Sequence, residues 1–369
     1  MSFRLTFFLS MVLVLQPLSP AQADSGSAQA EAPVPNDPLE LVTGAAEPVQ
    51  NADQRLAAVN LLKSARSLSN VRGQPYDLKT TFSASGSPSS DGVWNLEDVS
   101  PSAGVYRWTA QSPSFSVINL FTGGLLYSSR PSGGIPLRLA QVREAIFFSF
   151  QMPGPQASVR TGKGFLNGIA QNCILVAIGA GSQSFSGGRN WEESEYCMDA
   201  NTGLLTTYSP VPGLFVHYDY SSGTNFHGKM IPSSFTITEG GHTVIEARTV
   251  SVKDPTGSND SVFSIAGLQP LGVGRAMNPH SRFRSIMQVP SQVAVNQAPG
   301  AQVVVLIGSV SQEGRVLESE VISSTRVDLN QLALDRVNNL TLGNAQAQPG
   351  VTPQSREMFF TLEFVPPGE

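Results

Sequence analysis

Tyr76-Asp-Leu-Lys-Thr-Thr-Phe-Ser-Ala84 opens a series of short segments that continues through Val93-Trp-Asn-Leu96, Val105-Tyr-Arg-Trp108, Phe115-Ser-Val-Ile118 and Gly124-Leu-Leu-Tyr127. Leu78, Thr80 and Phe82 alternate with polar neighbours, which places one side of each segment in a core and the other in water. Gly, Pro, Ser or Asp cuts every segment. The pattern is that of a meander of short antiparallel strands.

Beyond this meander Pro136 opens a helical segment with Leu139, Val142, Ile146 and Phe147 on its apolar side; proline suits a first helical turn. Strands resume near Ala170 and run to about Val252, with Asp199-Ala-Asn-Thr-Gly203 as a turn. Aromatic residues concentrate here, among them Trp94, Tyr106, Trp108, Phe115, Tyr127 and Phe147. They either fill an ordinary sheet core or line an apolar interior that takes a lipid or other hydrophobic molecule.

The chain has two cysteines, Cys173 and Cys197, each in a strand-like stretch with a Gly/Ser-rich connection between them. An even count in an exported chain points to a disulfide between neighbouring antiparallel strands. Export is read from residues 1–23: Arg4, an apolar run from Leu5 to Leu15, and small residues at Ala21 and Ala23 form a secretory signal. The run is too short to span a bilayer, so no transmembrane anchor is expected after cleavage. Residues 24–50, rich in Ala, Pro, Ser and Glu, are expected to be a disordered leader. A helix capped by Asp53 follows, with Leu56, Val59, Leu62, Ala65 and Leu68 at helical spacing.

Residues 255–300 are rich in Pro, Gly, Gln and Asn and read as a linker. The last segment is more regular. Val303–Ile307 and Val316–Ile322 are strands about a Glu313-Gly314 turn, Asp328 caps a helix with Leu329, Leu332, Ala333, Val337 and Leu340, and Met358–Val365 is a final strand. Phe360, Leu362 and Phe364 are expected to pack on that helix, leaving Phe359, Thr361 and Glu363 on a partly solvated face.

The full chain has a net charge of −5, and loss of Arg4 with the signal leaves 22 Lys and Arg against 28 Asp and Glu, or −6. This argues against nucleic acid or an anionic membrane as the main partner. Thr161-Gly-Lys-Gly164 lacks the remainder of a phosphate-binding loop, Gly179-Ala-Gly181 lacks the context of a dinucleotide loop, and no Gly-x-Ser-x-Gly elbow is present. His217, His227, His242 and His280 are scattered singly, so no metal or other cofactor is expected. Glu193, Glu195 and Asp199 fall on one strand face, read as a solvated face rather than an acid pair or cation site. No catalytic residue emerges, and the chain reads as a non-enzymatic protein.

The C-terminal segment resembles the TonB C-terminal domain in Glu313-Gly314-Arg315-Val316, Ser323-Ser324, Leu329, Ala333-Leu334, Gly350 and the closing Glu357-Met-Phe-Phe-Thr-Leu-Glu-Phe364. The resemblance implies an exposed final strand, Met358, Phe359, Phe360, Thr361, Leu362, Glu363 and Phe364, that adds a protein partner's strand. The membrane helix and Pro/Lys-rich spacer of TonB itself have no counterpart here. The middle of the chain is similar to the LolA/LppX lipoprotein-carrier group in Tyr76–Phe82, Gly92-Val-Trp94, Tyr106-Arg-Trp108, Leu125-Leu-Tyr127, Gly203-Leu-Leu205, Tyr218-Asp-Tyr220 and Gly228 to Pro232. That likeness implies a helix, a half-barrel of antiparallel strands and a helical lid.

The expected fold is mainly β with α+β character: an N-terminal helix with a curved antiparallel half-barrel over 51–265, a linker over 266–299, and a small ββαβ unit over 300–369. The expected function is a periplasmic or secreted scaffold in a Gram-negative type envelope that binds a protein by edge pairing. The alternative is a periplasmic carrier of a hydrophobic ligand.

Overall fold

The computed structural model describes residues 46–131, 134–177, 185–186, 189–255, 262–273, 283–290, 302–311, 313–342 and 356–365. The expected signal and nearly all of the expected leader lie outside the described residues, as does His280. Among the described residues no helix is long and apolar enough to cross a membrane.

The alternating segments form one open, curved antiparallel sheet of fourteen strands among the described residues, a half-barrel. Tyr76–Ala84 lies near its middle, between Gly92–Ser102 and His242–Lys253. The inward positions supply the core: Phe82, Trp94, Leu96, Trp108, Tyr196, Tyr208, Val216 and Ile237 are all buried in one cluster. Glu47–Pro48 and Gln269–Val273 form the two edges.

Helix α1 spans Ala52–Ser69 and packs Ala58, Leu62 and Ala65 into this core. Its cap is Asn51, whose side chain accepts from the Gln54 N–H at 2.9 Å, in place of the expected Asp53. The buried stripe is also rotated from the expected one, and Leu56 is exposed. Helix α2, Leu137–Arg143, continues as a π-helical turn over Glu144–Phe148 and crosses the concave face as a lid.

A second, four-stranded sheet is ordered Phe283–Pro290, Arg356–Val365, Gln302–Val310, Val316–Ser324. Helix α3, Asn330–Asn338, covers one side, where Ala333 and Val337 meet Phe360, Leu362 and Phe364. This corrects three expectations. The strand carrying Met358, Phe359, Phe360, Thr361, Leu362, Glu363 and Phe364 is internal, because Phe283–Pro290 pairs with it in parallel and Gln302–Val310 pairs with it in antiparallel. Both rows of its backbone groups are therefore used. Strands Gln269–Val273 and Phe283–Pro290 also lie within the presumed linker. Finally, Phe359 and Thr361 are buried, and Val303, Val305, Ile307, Ile322 and Phe359 join the core cluster of the half-barrel, while Leu332 is exposed.

Candidate ligand-binding seam

The lid is held to the sheet by charge as well as by apolar contact. Arg138, with no exposed surface, donates from Nε to the Ser85 carbonyl at 3.1 Å and meets Glu239 Oε1 at 2.8 Å and Glu320 Oε2 at 2.5 Å. Burial opposes its charge, but the two carboxyls more than offset that and hold its pKa above the ordinary value. Burial and the neighbouring Glu239 push the Glu320 carboxyl up to about 9. Further along, Arg143 meets Asp98 Oδ2 at 2.9 Å and lies 4.0 Å over the Trp108 ring, while Tyr76 donates to Asp98 Oδ1 at 2.8 Å. Burial raises the Asp98 pKa despite these partners.

The π turn leaves the regular helical bonding pattern, and π turns recur at functional sites. Here the carbonyl of Ala145 accepts a hydrogen bond from the Tyr218 hydroxyl at 2.7 Å. Beside it lies a cavity of about 30 Å³ between the lid, the end of α1 and the concave face; Ala145, Ile146, Phe150, Leu205, Tyr218 and Phe235 are among its walls. A second cavity of about 20 Å³ lies where the lid meets both sheets, against Gln141, Tyr208, Leu214, Ile307 and Phe359. Each is water-sized in this closed form, and both follow the lid.

The six aromatic residues proposed from sequence are placed differently. Trp94 stacks on Phe82 at 5.7 Å and tilts against Phe115 at 5.5 Å; Tyr106 and Trp108 are buried in the same core, Tyr127 is half-buried, and Phe147 stacks on Tyr76 in a neighbouring cluster. None of the six lines either cavity. Sequence reading did not single out Tyr218 and Phe235 as lining; the Tyr218-Asp-Tyr220 alternation was the available signal for the first of these.

On the convex face Cys173 and Cys197 stand directly opposite each other, Cα atoms 4.1 Å apart, and are bonded. Glu193 and Glu195 are buried rather than solvated: Arg189 meets Glu195 at 3.1 Å and Arg160 meets Glu193 at 3.4 Å. Asp199 caps its turn by accepting from the N–H groups of Asn201 and Thr202. His217 bonds Thr207, and His227 pairs with Asp254.

No family profile and no curated protein matches the chain, and nothing in the comparisons carries the TonB resemblance. Among solved structures, a LolA-superfamily protein of Nitrosomonas europaea is 12% identical with a TM-score of 0.38, covering 56% of this chain and 97% of that one. The MucA/MucB complex of Pseudomonas aeruginosa gives 14% identity and a TM-score of 0.27 over 71% of this chain and 82% of the other. The lipoprotein LppX of Mycobacterium tuberculosis gives 8% and 0.22 over 57% and 100%. These superpositions are loose, and the functional reading rests on the seam itself.

Proposed function

We propose that this protein is a non-enzymatic carrier in the bacterial envelope, holding a lipid or other hydrophobic molecule between the half-barrel and its lid. The observation that supports this is the cavity beside the π turn. It lies on the concave face, is walled mainly by apolar and aromatic side chains, and is closed by a short helix fastened through Arg138 and Arg143. The export signal agrees with an envelope location. Loading moves the lid and enlarges the seam, since the closed cavity has no room for an acyl chain.

Protein purified from its native envelope should retain a hydrophobic molecule in native mass spectrometry. Delipidated protein should bind a fluorescent fatty-acyl alcohol saturably at about micromolar concentration, or roughly 8 kcal/mol. Ala145→Phe, which fills the cavity, should abolish that binding. Absence of saturable binding by the parent protein overturns the reading.

Protein binding by strand addition, which the TonB resemblance implies, has support at a different strand. Val316–Ser324 is an outer strand of the small sheet, and Leu317 on it is exposed. Leu317→Pro should then release a partner recovered with the parent chain; unchanged recovery removes this reading.

A further inference from the structure

We propose that the cavity beside the π turn selects uncharged lipids, such as long-chain alcohols or glycerides, and rejects ionised carboxylate or phosphate ends. This rests on the carrier reading and adds the chemistry of the ligand.

Among the described residues lining the cavity there is no Lys, Arg, His, Asp or Glu. Four of the hydroxyls on its walls have their donors directed to backbone carbonyls. Tyr220 donates to Leu205 at 3.0 Å, Thr249 to Pro232 at 2.8 Å and Ser69 to Ala65 at 2.9 Å, all independent of the lid, and Tyr218 reaches Ala145 of the lid at 2.7 Å in the closed form. What those hydroxyls still offer is lone pairs. An alcohol, or a partial glyceride through its free hydroxyl, can donate to them; an ionised carboxylate has only acceptors and would meet acceptors at these positions.

The field of the site acts in the same direction. Ser69 is the last residue of α1 and Asn70 its C-cap, and both line the cavity; a helix C-terminus carries partial negative charge. Burial raises the Tyr220 pKa, which shows the same surroundings opposing an anion. Two cations of the neighbouring segments are engaged elsewhere: Lys229 donates to the Ser67 carbonyl at 3.1 Å, and Arg72 lies 4.9 Å over the Phe148 ring.

Displacement of a fluorescent fatty-acyl alcohol by dodecanol and by dodecanoate, from about pH 5 to about pH 8, tests this. Dodecanol should compete equally across the range. Dodecanoate should lose about tenfold per pH unit once it ionises, starting from an ordinary carboxyl pKa of about 4.3, and be at least about a hundredfold weaker than dodecanol at the upper end. Ala145→Phe should block both ligands, and Ala145→Leu serves if the larger side chain prevents folding. Dodecanoate competing as well as dodecanol near pH 8, and lost in the filled variant, overturns the selectivity while carriage stands. Failure of both ligands and of the probe at every pH overturns carriage itself.

Discussion

Arg138 on the lid and Glu320 on the small sheet meet at 2.5 Å with both side chains buried, and Glu239 of the half-barrel meets the same guanidinium at 2.8 Å. Three parts of the molecule thus share one ion cluster. A buried pair of this kind is poor evidence of net stability, but removing one member leaves an uncompensated charge at a cost of about 3–5 kcal/mol. Arg138→Met should therefore be severely destabilising, measured by urea unfolding.

Glu320 gives the cluster a pH dependence. Its folded pKa is raised from 4.5 to about 9, so the folded chain keeps a proton that the unfolded chain has released. Its contribution is fully present below the unfolded value and is lost as pH climbs through the folded one. Glu320→Gln, neutral at every pH, should flatten the decline of the urea midpoint between about pH 5 and about pH 9 and raise the alkaline end. An unchanged slope would show that the carboxyl is ionised throughout.

The disulfide closes a sequence separation of 24 residues between adjacent strands. The chain-entropy estimate for such a loop is about 3 kcal/mol. A Cys173→Ala, Cys197→Ala double variant should lose roughly that amount, and thiol labelling of the denatured, unreduced parent should find no free sulfhydryl. Two labelled thiols per chain would refute the bridge.

Thr361 pairs with Ile286 on one side and Val305 on the other. Thr361→Pro should cost at least about 1–3 kcal/mol, the penalty of the buried carbonyl left without its donor, because a central strand tolerates neither the lost donor nor the ring. The damage should spread, since the Phe359 face of this strand packs into the half-barrel core. Hydrogen exchange would then rise in both sheets. Exchange confined to the small sheet would show that the shared cluster is energetically slight.

The half-barrel was legible because one wet face makes a sheet alternate, as Leu78, Thr80 and Phe82 do. The lid's apolar positions were legible for the same reason at helical spacing. What escaped was non-local. Glu320 lies 182 residues from Arg138 in sequence, and nothing local to either marks the pair. Phe283–Pro290 is set among Pro- and Asn-rich residues, and its partner strand begins at Arg356. Thr361 and Glu195 read as solvated because a hydroxyl or a carboxylate ordinarily is; the neighbours that bury them, the half-barrel for one and Arg189 for the other, come from tertiary structure.

Gly213 measures how closely the two sheets fit. It sits at φ +87°, and a Cβ there would lie 2.7 Å from the Ser323 Cβ and 3.0 Å from the Ile322 carbonyl oxygen. The adjoining Pro212 carbonyl accepts from the Ser323 hydroxyl at 3.1 Å, so the hairpin that joins Leu205–Val211 to Leu214–Asp219 is seated against strand Val316–Ser324. Gly228 is the control: its φ is +78°, but a Cβ would meet nothing within 4 Å. Gly228→Ala should lose about 1 kcal/mol from backbone conformation alone. Gly213→Ala should lose that and a further overpacking cost of about 1–3 kcal/mol, because the neighbour is a Cβ and a backbone oxygen rather than a flexible side-chain end. The difference between the two urea midpoints reads the contact directly. Equal losses would mean that the hairpin gives way at Gly213 without cost, leaving the shared apolar cluster and the Arg138 group to join the two sheets.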